Sequence, residues 1–222
     1  MNKRKNLILD LDGTLINSEI GVKKSLIKAF HKANKKLLIS ESEIFIGPPL
    51  TDMIKMCNKS LDHNEINEIK QYFKDSYDGD GCLQFDLYPK IDELLINIFR
   101  NDIKIFLGTN KRQLPTIKIK KYLNWEKYFE KIYCIDSYPL NKSEKQEMLL
   151  LLLTQERIQA SKSLYIGDKY ADYIAANKNN ISFIGAGWDK TDFTKYDQNK
   201  FKIINSITNN SIDEIINTIV EL

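Results

Sequence analysis

The sequence predicts an α/β protein with a doubly wound parallel sheet and a small all-helical cap domain. Short apolar runs that end in polar or glycine-containing turns are typical of strands buried on both faces. Amphipathic helical patterns separate most of these runs, and this alternation favours a parallel sheet. A long, purely helical segment interrupts the alternation directly after the first run, which indicates an inserted domain.

Five apolar runs are the predicted strands of the sheet. They cover Leu7–Leu9, Ile103–Leu107, Lys131–Ile135, Ser163–Ile166 and Ile181–Ile184. A helical stripe between the first two consists of Ile91, Leu94, Leu95 and Ile98. Ser143 lies three residues before Gln146, and Ser211 three residues before Glu214. Both pairs have capping-box spacing, so we expect helices to begin at these serines.

The inserted segment has two helical stripes and no convincing strand. One stripe consists of Val22, Leu26, Ala29, Phe30 and Ala33, and the other of Ile66, Ile69 and Phe73. An insertion after the first strand would lie above the carboxyl edge of the sheet and act as a lid. We therefore assign residues 1–15 and 86–222 to the α/β core domain, and residues 16–85 to the helical cap domain.

Composition and charge exclude several classes of function. The 33 basic and 30 acidic residues are interspersed, so no surface for nucleic acid is expected despite the net charge of +3. Met148–Leu153 is the longest apolar block and is far too short to span a membrane. Leu7–Leu9 is too short for the apolar part of a signal peptide. We expect a cytoplasmic protein without a membrane or nucleic-acid partner.

Polar side chains follow four of the predicted strands. Asp10 and Asp12 follow the first, Thr109 and Asn110 the second, Lys142 and Lys145 the third, and Asp168 and Asp172 the fourth. Side chains two apart on a strand share a face, so Asp10 and Asp12 are expected to approach one substrate. Because loops at the carboxyl ends of parallel strands meet in one crevice, these residues predict a single site.

Electrostatic repulsion predicts a cation in this site. Two carboxylates about 4 Å apart repel by about 4 kcal/mol at an effective dielectric constant of about 20. Asp10, Asp12, Asp168 and Asp172 would form several such pairs. Oxygen ligands without histidine or thiolate favour Mg²⁺, completed by water and a substrate phosphate. A lysine would supply further positive charge.

These motifs resemble those of the haloacid dehalogenase-like superfamily over essentially the whole chain. The similarity lies in Asp10-Leu11-Asp12-Gly13-Thr14, Thr109, a lysine at a helix start, and Gly167-Asp168 with Asp172. The helical cap, Gly47-Pro48-Pro49-Leu50, Tyr88-Pro89 and Gly185-Ala186-Gly187-Trp188 look most like members of the phosphoglycolate phosphatase type. The resemblance implies a Mg²⁺-dependent phosphatase that acts on a small phosphorylated metabolite, such as phosphoglycolate or a sugar phosphate.

The resemblance also implies a role for each motif residue. Asp10 would attack phosphorus to form an aspartyl-phosphate, and Asp12 would protonate the leaving oxygen and then deprotonate the hydrolytic water. The side chain of Thr109 and the amide of Asn110 would hold phosphate oxygens, and Lys145 would neutralise the nucleophile and the phosphate. Mg²⁺ would be held by Asp10, the carbonyl of Asp12 and Asp168, with Asp172 positioning a water on the metal.

Two points stay open at this level. The third motif lacks the usual lysine-proline pair, and we favour Lys145, 23 residues before Asp168, over Lys142.

The same chemistry would also serve a phosphomutase or phosphotransferase. A non-catalytic binding protein on this fold is the third alternative, but it would be expected to lose a catalytic carboxylate. Both Asp10 and Asp12 are present.

Overall fold

A computed structural model describes residues 5–137, 144–189, 191–196 and 198–222. Contacts between residues divide the chain into two compact units. One comprises Met1–Asn17 and Leu87–Leu222, and the other comprises Ser18–Asp86. The first is an α/β unit and the second is helical. The sequence analysis places the two boundaries after residues 15 and 85.

The α/β unit is built on a parallel sheet, as the sequence predicts, with six strands where five are predicted. The strands of the chain are β1 (Asn6–Leu9), β2 (Ile16–Asn17), β3 (Asp86–Leu87), β4 (Lys104–Thr109), β5 (Phe129–Cys134), β6 (Ser163–Gly167), β7 (Ser182–Ala186) and β8 (Lys202–Ile204). The order in the sheet is β5-β4-β1-β6-β7-β8. Strand β1 therefore has a neighbouring strand on each side, and all four of its residues are buried.

The register of the central strands brings their carboxyl ends level. Leu9, the last residue of β1, lies opposite Leu107 of β4 and Ile166 of β6. The amide of Asp10 donates to the carbonyl of Ile166 at 3.0 Å, so the chain stays beside β6 for one more residue. The residues that follow β1, β4 and β6 consequently emerge at the same edge of the sheet.

Among the described residues, five α-helices belong to the α/β unit: α4 (Ile91–Arg100), α5 (Gln113–Tyr122), α6 (Lys145–Gln155), α7 (Tyr170–Lys178) and α8 (Asn209–Glu221). Helix α4 buries Ile91, Leu94, Leu95 and Ile98, which is the predicted stripe. Helix α6 buries Met148, Leu149 and Leu152 in a core cluster that includes Phe106 and Tyr165 of the sheet. Burial of such side chains is the main favourable term in folding.

The helical unit contains α1 (Glu19–Lys32), α2 (Leu50–Cys57) and α3 (His63–Gly79). Helices α1 and α3 bury most of the two predicted stripes. Leu26 and Phe30 on α1 and Ile69 on α3 are fully buried, whereas Val22 is half-buried. Helix α3 begins with a capping box. The Asp62 carboxylate accepts from the amide of Glu65 at 2.9 Å, and the Glu65 carboxylate accepts from the amide of Asp62 at 2.9 Å.

The structure departs from the sequence analysis at three elements. Strand β8 was not predicted, because its three residues offer only two consecutive apolar side chains. Residues 16 and 17, assigned to the cap, form β2. Helix α6 begins at Lys145 with Glu144 as its N-cap, while the predicted cap Ser143 lies outside the described residues. Within those residues, no helix is long and apolar enough to cross a membrane.

The predicted cap of the last helix is also wrong. Helix α8 begins three residues earlier than expected, and Thr208 is its N-cap. The amide of Ser211 donates to the Thr208 hydroxyl at 3.2 Å, and the amide of Thr208 donates to the Ser211 hydroxyl at 2.7 Å. Ser211 thus takes the third helical position of a capping box, where glutamate or glutamine is usual.

We expect Thr208→Ala to lower the free energy of unfolding by about 1 kcal/mol, because it removes the acceptor for an amide of the first turn. Asn210→Ala, at an exposed position on the same turn, is the matched control and should change stability by less than about 0.5 kcal/mol. Urea unfolding measures both. A Thr208→Ala protein as stable as the control would contradict the cap assignment.

Candidate active site

Polar side chains gather where β1, β4 and β6 end. Asp10 directly follows β1, Thr109 is the last residue of β4, and Asp168 directly follows β6. Lys145 is the first residue of α6, and Asp172 lies in the first turn of α7. All five are buried. The structure therefore brings together five of the residues that the sequence analysis singles out.

The ammonium group of Lys145 lies between two carboxylates. Its Nζ is 2.7 Å from Oδ2 of Asp10 and 2.5 Å from Oδ1 of Asp172. The side chains of Lys145 and Asp10 are each 8% exposed, and that of Asp172 is 2% exposed. Removing one partner from such a buried pair leaves an uncompensated charge, so each member depends on the others. Lys142, the alternative, lies outside the described residues.

Asp10, Asp168 and Asp172 form a compact group of buried carboxylates. One oxygen from each lies within 4.8 Å of the other two. Oδ1 of Asp168 is buried and has no hydrogen-bond partner among the described residues. A buried carboxylate oxygen without a partner is strongly unfavourable. The hard oxygen donors and this unpartnered atom fit a divalent cation such as Mg²⁺.

The pKa values follow from burial and from the crowded charges. Burial raises the pKa of Asp10, although the charge of Lys145 and hydrogen bonds from Lys145 and Thr109 oppose this. Burial, together with the charges of Asp10 and Asp172, raises the pKa of Asp168 well above its usual range. Burial lowers the pKa of Lys145, but the charges of Asp10 and Asp172 outweigh it and hold that pKa well above normal. One ammonium group does not balance three carboxylates, so further positive charge would stabilise their ionised forms.

Asp172 joins the site to helix α7. Its Oδ2 accepts a hydrogen bond from the backbone amide of Lys169 at 2.9 Å, while Oδ1 contacts Lys145. One carboxylate thus satisfies an amide at the start of α7 and contacts the first residue of α6. This arrangement fixes the position of Lys145 relative to the start of α7.

Gly13 makes the turn that follows Asp12. Its φ of +82° lies in the left-handed region, and its amide donates to the carbonyl of Ile16 at 2.8 Å. A Cβ atom built on Gly13 would lie 2.3 Å from Oδ2 of Asp168. The backbone must therefore approach Asp168 more closely than any side chain permits.

Asp12 does not lie on the strand as the sequence analysis assumed. Strand β1 ends at Leu9, and Asp12 makes a single bridge with Ile16 in the turn beyond. Its carboxylate accepts two hydrogen bonds from the Lys111 ammonium group, at 2.8 Å to Oδ1 and 2.9 Å to Oδ2. The sequence analysis gives Lys111 no role, because the sequence does not reveal its partner.

Two aromatic residues near the site were also given no role. Trp188 donates from Nε1 to the carbonyl of Thr14 at 2.9 Å, which ties the loop after β7 to the loop after β1. The hydroxyl of Tyr88 donates to the carboxylate of Asp189. Burial and this hydrogen bond raise the pKa of Tyr88. Both residues lie in motifs that the sequence analysis names, Tyr88-Pro89 and the run that ends at Trp188. Neither motif indicates that Tyr88 contacts Asp189 or that Trp188 contacts Thr14.

An open cavity of about 770 Å³ adjoins the buried lysine. Asn110, Lys145, Lys169 and Tyr170 are among its lining residues. Asn110, predicted to bind phosphate, is exposed, and Thr109 is buried beside Asp10. A small anionic molecule at this edge of the sheet could therefore approach both Asn110 and Lys145.

Comparisons with known proteins identify relatives of this chain. The profile of the haloacid dehalogenase-like hydrolase family matches residues 7–186. A 5'-nucleotidase of Pseudomonas aeruginosa is 26% identical over 184 residues, which are 82% of this chain and 82% of that protein. A phosphoglycolate phosphatase of Agrobacterium fabrum is 24% identical over 190 residues, covering 83% of this chain and 81% of that protein. A haloacid dehalogenase-like family protein of Streptococcus pneumoniae has a structure with a TM-score of 0.79 at 22% identity, covering 98% and 99% of the two chains.

We expect saturating Mg²⁺ to raise the melting temperature of the metal-free protein. At 100 times the dissociation constant, ligand binding stabilises the folded state by about 2.7 kcal/mol, which shifts Tm by about 5 to 10 °C in a chain of this size. Asp168→Asn should abolish the shift, whereas Asp213→Asn, an exposed carboxylate on α8, should retain it. Differential scanning calorimetry measures the shift. A full shift in Asp168→Asn would contradict the site.

Proposed function

Because this chain belongs to the haloacid dehalogenase-like hydrolase family, we propose that it is a Mg²⁺-dependent phosphatase that hydrolyses a small phosphate monoester through an aspartyl-phosphate. The observation that supports this most strongly is the buried lysine between two carboxylates. Lys145 contacts both Asp10 and Asp172, and Asp168 lies within reach of the same centre. Such a centre can hold an ionised nucleophile and a doubly charged phosphate together.

Asp10 is the nucleophile in this proposal. Its Oδ2 contacts Lys145, and its Oδ1 accepts from the amide of Leu11 at 2.8 Å. Both contacts favour the ionised carboxylate, which is the form that attacks phosphorus. The new bond joins a carboxylate oxygen of Asp10 to phosphorus while the bond from phosphorus to the leaving oxygen breaks. Lys145 keeps its proton and offsets the charge of both groups.

Asp12 is the general acid and base. Its side chain is 35% exposed, against 8% for that of Asp10, so it has access to a leaving group and to water. The two aspartates therefore sit in environments that suit different tasks. Asp12 gives a proton to the leaving oxygen, and it later takes one from the water that releases phosphate from Asp10.

Asp10, Asp168 and the carbonyl of Asp12 would hold Mg²⁺, with Asp172 beside them. The metal would supply positive charge that stabilises the phosphate oxygens during transfer. Thr109 and Asn110 would bind the other phosphate oxygens. Thr109 supports this role by its position beside Asp10, and Asn110 by its exposure next to Lys145.

The proposed substrates are small phosphorylated metabolites. Relatives named as a 5'-nucleotidase and as a phosphoglycolate phosphatase make nucleoside monophosphates and phosphoglycolate the first compounds to test. Sugar phosphates belong in the same screen, because the named activities share only the phosphate ester. We propose a cytoplasmic location, where such metabolites occur.

The proposed function predicts Mg²⁺-dependent release of phosphate from an aryl phosphate. EDTA should abolish turnover, and Asp10→Asn should lower kcat at least about 10³-fold, because an amide cannot form the acyl-phosphate. Asp213→Asn is the control and should retain wild-type kcat. Turnover in EDTA, or by Asp10→Asn, would overturn the proposal. Faster transfer to an added sugar than to water would instead identify a phosphotransferase.

A second prediction separates the two candidate lysines. Lys145→Met should lower kcat/KM about 100-fold or more, because it removes the ammonium group between Asp10 and Asp172. Lys142→Met, at the other lysine that the sequence offers, should change kcat/KM by less than about 3-fold. Steady-state kinetics with the aryl phosphate compares them. A larger loss in Lys142→Met would reverse the assignment.

A further inference from the structure

We propose that Lys111 is a positioning residue for Asp12, which it holds in the orientation needed for proton transfer to the leaving oxygen. This inference rests on the proposed function, since it concerns the step in which Asp12 acts as the general acid. Lys111 has a buried side chain and does not belong to the group formed by Asp10, Asp168, Asp172 and Lys145, so its role is separate from theirs.

The contact between Lys111 and Asp12 uses both carboxylate oxygens. The ammonium nitrogen lies 2.8 Å from Oδ1 and 2.9 Å from Oδ2. A contact to one oxygen would leave the carboxylate free to rotate about its last bond, whereas a contact to both restrains that rotation. The geometry therefore restricts the direction in which the oxygens of Asp12 point.

The burial of the pair is uneven. The side chain of Lys111 is 6% exposed, whereas that of Asp12 is 35% exposed. An exposed ion pair contributes little to stability and orders its members weakly. Here the Lys111 ammonium group is buried and the Asp12 carboxylate is accessible. Lys111 therefore restrains a carboxylate that a substrate can still contact. An acid that must meet a substrate oxygen needs this combination of access and restraint.

The fold fixes both ends of the contact. Asp12 lies three residues beyond Leu9, and Lys111 lies two residues beyond Thr109 at the end of the neighbouring strand β4. The amide of Lys111 donates to the Thr109 hydroxyl at 3.2 Å, which restrains the backbone at the start of the Lys111 side chain. The proposed phosphate-binding residue and the proposed acid are thus connected through one lysine.

The proton balance leaves Lys111 unchanged throughout. The protonated Asp12 gives its proton to the leaving oxygen as the phosphorus bond to that oxygen breaks and the bond to Asp10 forms. The Asp12 carboxylate then accepts a proton from the attacking water as the water oxygen bonds to phosphorus and the phosphorus bond to Asp10 breaks. Lys111 donates hydrogen bonds and transfers no proton, so its contribution is orientation alone.

The test compares substrates that differ in their need for an acid. An aryl phosphate has a good leaving group, which needs little protonation, whereas an alkyl phosphate requires it. We expect Lys111→Met to lower kcat/KM about 10-fold to 100-fold on the alkyl phosphate and less than about 3-fold on the aryl phosphate. The inhibition constant of inorganic phosphate should stay within about 2-fold of the wild-type value, because Asp12 orientation does not affect phosphate binding.

Three further variants sharpen the comparison. Lys202→Met removes another lysine from an ion pair, that with Glu214, and should leave both substrates unaffected. Lys111→Arg should recover part of the alkyl phosphate activity, because a guanidinium group can also contact both oxygens. In an Asp12→Asn background, Lys111→Met should lower the remaining activity less than about 2-fold, since the two residues act as a unit.

Two results would overturn the inference while leaving the proposed function intact. The first is an equal loss on both substrates with weaker phosphate inhibition, which would place Lys111 on the phosphate itself. The second is a loss in the Asp12→Asn background as large as in the wild type. A wild-type protein that hydrolyses neither ester would overturn the proposed function and this role with it. If Lys111→Met fails to fold, as judged by its melting temperature, Lys111→Gln provides the same comparison.

Discussion

The enclosure of three carboxylates around one ammonium group is the constraint on which the rest of this structure depends. Asp10, Asp168 and Asp172 would repel one another if they were brought together without a cation. Lys145 relieves part of that repulsion through two short contacts. Three acids and one base still leave negative charge in a buried place, and Oδ1 of Asp168 has no partner among the described residues. The divalent cation that we propose for this site would offset the remaining negative charge.

This constraint explains several local features at once. The turn at Gly13 must pass so close to Asp168 that no side chain fits. Asp172 has one oxygen on the amide of Lys169 and the other on Lys145, so it links helix α7 to helix α6. The Gly13 turn and the two contacts of Asp172 both serve to place the buried charged groups. Neither adds to the apolar core.

The two aspartates of the first loop differ because of their surroundings. Asp10 is buried and contacts Lys145, whereas Asp12 is accessible and contacts Lys111. Two residues of one type, two positions apart, therefore acquire different environments. Each carboxylate has its own lysine, and the two lysines come from different parts of the chain. The division of tasks that we propose for Asp10 and Asp12 follows from this pairing.

The sequence by itself determined the alternation of strands and helices, the buried strand at Leu7–Leu9 and the polar residues at the strand ends. Apolar periodicity and motif spacing are local properties, so they can be read without the fold. The sequence did not determine β8, whose apolar run is too short, or the N-cap at Thr208, since several hydroxyls nearby could serve. Only the tertiary structure decided that Lys111 meets Asp12 and that Trp188 meets Thr14. Such pairs join residues from different loops, and their contacts depend on the register and twist of the whole sheet.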